Sequence, residues 1–238
     1  ALPGEIIGGW EAWPHSRPYM AFVNIDEGGG SCGGFLIRED VVVTAAHCNC
    51  NLGSITVLLG AHNVEIDEPD RQEIQVHRRI QHPDYNDETL HNDIMLLQLE
   101  DEAELNKRID LIPLPLDHQP VPPETVCSVA GWGRTSADSE LLSDTLQEVD
   151  VEVMLDTDCL RIRNGPYHHY NPSTVLCVGD PHEGKDSAQG DSGGPLVCEK
   201  KAHSIVSWGR TDGNPPGVYT RVSTFVPWIE KTMKKLHP

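Results

Sequence analysis

The chain has 238 residues, enough for one large or two small domains around a sizeable core. Its 18 basic and 37 acidic residues give a formal net charge of −19, which argues against nucleic acid or an anionic membrane as partner and favours cationic ones. With 23% charged residues and no apolar run near the roughly 18 residues of a membrane span, the chain reads as soluble and globular.

The start lacks an apolar region behind a basic stretch, so the chain is read as beginning after, or just inside, a removed signal peptide. Ile6-Ile7-Gly8-Gly9 is a short apolar-glycine run that gains meaning only beside motifs further along the chain. The seven cysteines show no paired C-x-x-C zinc spacing, which points to disulfides and an oxidising, secretory compartment, with one thiol left over. Asn171 is followed by Pro172, and no N-glycosylation acceptor is read anywhere in the chain.

Val41 to Cys48 is a β-branched run closing on small residues and a histidine, predicting a strand that delivers His47 to its end. Thr56 to Leu59 is read as another strand. Asp93 stands immediately ahead of the apolar strand Ile94 to Leu99, where burying an unpaired charge would be costly, so the acid calls for a partner. Ile112 to Glu124 carries five prolines, too many for a central strand, and is read as a connector between two halves.

The second half opens with Cys127 to Gly133. Val149, Val151 and Val153 then alternate with Glu148, Asp150 and Glu152, the period of two of a half-buried strand. Ser204 to Val206 and Gly217 to Val222 are further strands. After Pro227 the spacing of Val226, Ile229, Met233 and Leu236 turns helical, with Lys231, Lys234 and Lys235 toward the C-terminal end where the helix dipole favours cations. Many short strands and one terminal helix predict an all-β architecture built on barrels.

Gly190-Asp191-Ser192-Gly193-Gly194-Pro195 brackets a serine with glycines and an acid. A serine hydroxyl is a weak nucleophile that requires a base for its proton and donors for the oxyanion. His47 and Asp93 supply the partners such a serine needs. Each motif alone also has a plain structural reading: a glycine-rich turn, one histidine among twelve, a strand-starting surface acid.

Taken together and in this order, Ile6 to Gly9, Thr44-Ala45-Ala46-His47-Cys48, Asn92-Asp93-Ile94 and Gly190 to Pro195 resemble the chymotrypsin-like (trypsin-fold) serine endopeptidases over residues 6–238. The resemblance implies two six-stranded antiparallel β-barrels, at about 6–115 and 125–225, a C-terminal helix at 226–238, and an active site in the cleft between the barrels. It implies His47, Asp93 and Ser192 as catalytic triad and the N–H groups of Gly190 and Ser192 as oxyanion hole, with neither metal nor cofactor. Substrate contacts carry over to Asp186, Ser187, Gln189, Ser207, Trp208, Gly209, Gly217 and Leu90. Cleavage between Glu5 and Ile6 would free an ammonium group to pair with Asp191 and organise the pocket, so the chain reads as a precursor with residues 1–5 as propeptide or signal remnant. The implied disulfides are Cys32 with Cys48, Cys127 with Cys198, and Cys159 with Cys177. Cys50 then has three readings: a free thiol, an intermolecular bridge, or an alternative partner for Cys32.

Alanine at 188, Gly4-Glu5 ahead of Ile6, and Pro14 to Ala21 resemble most the granule proteases of mast cells and leukocytes, the chymase, cathepsin G and granzyme B branch. This implies a monomeric secreted or granule enzyme with protein or peptide substrates, protein protease inhibitors and an activating peptidase as partners. Two features depart from the branch. The acidity speaks against storage on sulfated polysaccharide, and Asp186 at the pocket base, with Gly209 and Gly217 on its walls, implies cleavage after Lys or Arg. The alternatives are cleavage after Phe or Tyr and a silent binding relative. The loop after Gly60 resembles a calcium loop in Asn63 and Glu68, but Ala61 and Arg71 stand where carboxylates would bind the ion, and Arg71 is expected to take its place.

Overall fold

The computed structural model describes residues 9–26, 30–49, 53–133, 143–163, 165–179, 192–208 and 216–236. In chain order its elements are β1 (Trp10–Glu11), β2 (Met20–Ile25), β3 (Gly30–Arg38), β4 (Val41–Thr44), β5 (Ile55–Leu59), β6 (Gln72–Gln81) and β7 (Met95–Leu99). Then come β8 (Val126–Gly131), β9 (Gln147–Val153), α1 (Asp156–Leu160), β10 (Val175–Gly179), β11 (Pro195–Cys198), β12 (Lys201–Trp208), β13 (Gly217–Arg221) and α2 (Val222–Lys235).

Two closed antiparallel barrels result. The first runs β2-β3-β4-β7-β6-β5 and closes where β2 pairs with β5. The second runs β9-β10-β13-β12-β11-β8 and closes through β8 and β9. The N-terminal β1 adds to the second barrel, pairing with β9 at Trp10↔Glu148.

Side-chain alternation dictates this layout. Along β9 the valines at 149, 151 and 153 are buried while Asp150 is exposed, as a strand with one face in the core requires. β4 and β7 are buried along their whole length, and each is paired on both edges, β4 between β3 and β7 and β7 between β4 and β6. The proline-rich connector forms no strand. The three expected disulfides are all present: Cys32–Cys48, Cys127–Cys198 and Cys159–Cys177. Cys50 lies outside the described residues.

The helix α2 returns to the first barrel, its Phe225, Val226 and Ile229 joining that core. It begins four residues before Val226, so that Pro227 sits inside it. Proline lacks the N–H that would bond the carbonyl four residues back. That carbonyl, of Ser223, accepts instead from the His118 N–H at 3.2 Å. At the other end Arg38 donates to the carbonyls of Met233 at 2.8 Å and Leu236 at 2.6 Å, satisfying groups that a helix C-terminus leaves open.

Candidate active site

β4 ends at Thr44 and the chain turns at once into a short 3-10 segment, Ala46–Cys48, which holds His47. The buried β4 is fixed on both sides, so the turn after it has a set origin. Asp93 precedes β7, the strand paired with β4, and the register Thr44↔Met95 brings the two residues to the same end of the barrel. The strand pairing therefore accounts for a contact between side chains 46 positions apart.

The contact is tight. The His47 Nδ1–H donates to Asp93 Oδ2 at 2.6 Å, and the His47 backbone N–H donates to Asp93 Oδ1 at 2.8 Å. The Ser207 hydroxyl donates to Asp93 Oδ2 at 2.5 Å from the end of β12, and Thr220 Oγ1 donates to the Asp93 carbonyl at 3.0 Å from β13. Asp93 is only 1% exposed, and its three carboxylate contacts replace the water it has lost. Burial disfavours a charge on His47, but the charge and hydrogen bond of Asp93 outweigh this and raise its pKa above 6.5. Tyr85 is pushed up to about 12 by burial and by the negative charges of Asp93 and Asp87.

Ser192 sits in a turn held against the first barrel. Its carbonyl accepts from the Gly33 N–H of β3 at 2.9 Å and lies 3.8 Å from Cys48 Sγ, the residue after His47. The next residue, Gly193, has φ +91°. A Cβ there would stand 2.3 Å from both the Gly33 carbonyl oxygen and Thr44 Oγ1, so only glycine fits. The Gly193 N–H donates to the Val206 carbonyl at 2.9 Å, one residue before Ser207. The serine turn is thus bonded to the second barrel's own strand and seated on the first barrel at Gly33 and Cys48.

Of the substrate contacts expected by resemblance, Leu90 stands half-buried in the segment just ahead of Asp93 with φ +60°. Trp208 is half-buried with its ring edge-on to Tyr167 at 4.6 Å, and Gly217 opens β13. The Ser207 side chain faces Asp93. Glu5, Ile6, Asp186, Ser187, Gln189, Gly190, Asp191 and Gly209 lie outside the described residues. Among the described residues no cluster of three or more His, Cys, Asp or Glu could hold a metal ion. In the loop after Gly60, Arg71 donates to the Ile66 carbonyl at 2.7 Å, while Glu68 accepts from the N–H groups of His62 and Asn63.

Sequence reasoning missed the hydroxyls of Ser207 and Thr220 as partners of Asp93, and it missed Thr44 and Gly33 as the seat of the serine turn. No local pattern signals these contacts, because each partner comes from a distant part of the chain.

The family model of Trypsin matches residues 6–229. Mast cell protease 3 of Ovis aries is 53% identical over 235 residues, 98% of this chain and 90% of the relative. Granzyme B of Homo sapiens is 52% identical over 234 residues, 98% of this chain and 92% of the relative. A solved structure described as "Structure of GrC" superposes with a TM-score of 0.89 at 46% identity, covering 96% of this chain and 100% of that one. Two closed barrels, a histidine paired with a buried aspartate at their junction and half-identity across nearly the full length make this chain a member of the trypsin family of serine proteases.

Proposed function

We propose that the chain is a serine endopeptidase that works through an acyl-enzyme. Ser192 Oγ attacks the peptide carbonyl while His47 takes its proton, and His47 then returns that proton to the leaving amine. Asp93 holds the imidazole with Nδ1 protonated and stabilises its cationic form. The N–H groups of Gly190 and Ser192 bind the oxyanion, a contribution of about 100 to 1,000-fold per donor in such sites. Water repeats the cycle on the ester and frees the acid product. The observation that carries this reading is the 2.6 Å bond from His47 to a fully buried Asp93, with the serine turn seated on the neighbouring strand.

The preferred residue before the scissile bond is Lys or Arg. Asp186 supports this, since a carboxylate at the base of a partly desolvated pocket rewards a cation and rejects an apolar side chain. The enzyme is a secreted or granule-stored monomer acting on protein or peptide substrates and held in check by protein inhibitors, and its three disulfides suit such an oxidising compartment. It is made as a precursor and activated by a peptidase that cuts between Glu5 and Ile6, after which the new ammonium group pairs with Asp191.

The test is to remove residues 1–5 and profile cleavage of a mixed peptide library, with Ser192→Ala as control. Cleavage after Lys and Arg that vanishes in the control supports the reading. Cleavage after Phe or Tyr alone overturns the specificity, and full activity with residues 1–5 attached overturns the activation step.

A further inference from the structure

The segment between β6 and β7 carries two non-glycine residues in the left-handed region, Leu90 (φ +60°) and Asn92 (φ +58°), one on each side of His91. Such backbone persists only where surrounding contacts over-determine it. Several contacts lie inside the segment. The Leu90 N–H donates to the Asn86 carbonyl at 2.7 Å, the Asn86 N–H to the His91 carbonyl at 3.1 Å, and Asn92 Nδ2 to the Asp84 carbonyl at 2.9 Å. None of these three reaches the second barrel.

The His91 side chain does reach it. Its Nε2–H donates to the His169 carbonyl at 2.5 Å, and the two imidazoles meet edge-on with centroids 5.9 Å apart. His169 closes the short turn Gly165–His169. Two residues earlier, the Tyr167 hydroxyl donates to the Pro216 carbonyl at 2.6 Å and its ring meets that of Trp208. A continuous line of contacts therefore runs from the strained segment of the first barrel, through residues 165–169, to Trp208 and the start of β13.

We propose that His91 is a positioning residue which, through the His169 carbonyl, holds Leu90 in place relative to Trp208, the two residues that the resemblance assigns to contact with the substrate chain ahead of the scissile residue. This role rests on the protease reading. It concerns substrate residues further from the cut than the one Asp186 selects. Asp93 is held by His47, Ser207 and Thr220, so losing the His91 donor frees the Leu90 segment without releasing the triad.

The experiment compares the processed enzyme with His91→Ala and His91→Gln on two substrates sharing one scissile Arg: a single-residue amide and a peptide extended by three residues on its amino-terminal side. Loss of one well-formed hydrogen bond should lower the extended-to-short ratio of kcat/KM by about tenfold in His91→Ala, mainly through KM. His91→Gln, which keeps an N–H of similar reach, should recover most of the ratio. An unchanged ratio in His91→Ala, or an equal fall in both variants, overturns the inference. Phosphonate labelling of Ser192 is measured in the same samples. A parent enzyme that is not labelled overturns the protease reading and this inference with it, whereas a labelled parent with an unchanged ratio overturns this inference alone.

Discussion

Gly193→Ala is the substitution that most sharply probes how the serine turn is seated. The new Cβ would stand 2.3 Å from the Gly33 carbonyl oxygen and from Thr44 Oγ1. Neither can step aside, because one is backbone in β3 and the other is a fully buried β-branched side chain. A positive φ with a Cβ costs about 1–2 kcal/mol by itself. Relief of the clash requires the turn to retreat, giving up the Gly33-to-Ser192 bond and disturbing the 2.8 Å bond from Thr44 to Gly33, each worth about 1 kcal/mol. The expected loss is on the order of 3–4 kcal/mol, or a fall in Tm of about 6–16 °C for a chain of this size. A retreat of about 1 Å by Ser192 costs about 100-fold in reaction rate. Thermal unfolding followed by circular dichroism reads the first effect, and the rate of phosphonate labelling reads the second. An alanine variant that melts within about 2 °C of the parent, the smallest shift expected for a loss of about 1 kcal/mol, and is labelled at the parental rate would refute the packing argument.

Three further outcomes are expected. Ser207→Ala removes one of three contacts to the Asp93 carboxylate, and steady-state kinetics should show kcat lower by about 10 to 100-fold with a smaller change in KM, on the scale of a hydrogen bond to a charged group. The acid limb of the kcat/KM profile should fall above pH 6.5, since catalysis requires neutral His47 and Asp93 raises the pKa of that imidazole. By linkage, a raised histidine pKa stabilises the fold fully below the unfolded value of about 6.5 and loses that contribution as pH climbs through the higher folded value, so denaturant titrations of Asp93→Asn should differ from the parent more near pH 6 than well above the folded value. Arg38→Ala removes a donor from the Met233 and Leu236 carbonyls at the end of α2 and takes from the buried Asp40 its cationic partner, bonded at 2.5 Å; a loss of about 3 kcal/mol should appear as a Tm lower by about 6–12 °C.

Where a pattern is local, it was legible in the chain. The valine alternation of β9, the β-branched run of β4 and the prolines of the connector each declare their structure within a few residues. β6 escaped because Ile74 alone of its ten residues is buried while Glu73, Gln75, His77 and Arg78 are exposed, so its apolar signal is thin. β3 escaped behind its glycines, which carry no side chain to read, although Gly34 packs closely against Val42 and Val43 of β4. The pairing of His47 with Asp93 was anticipated from the family resemblance, and the register of β4 with β7 shows the physical reason for it. The hydroxyls of Ser207 and Thr220 could not, since their partner is set by how the second barrel docks on the first. The early start of α2 was likewise hidden, because Pro227 reads as a boundary until His118 is known to take up the freed carbonyl.

Activation of Ser192 by His47 is tested most directly by treating the processed protein with a peptide phosphonate ending in an arginine analogue and locating the adduct by mass spectrometry. One equivalent on Ser192, lost in both Ser192→Ala and His47→Ala, is the predicted result. Labelling elsewhere, or labelling of Ser192 that is as fast without His47 as with it, would contradict it.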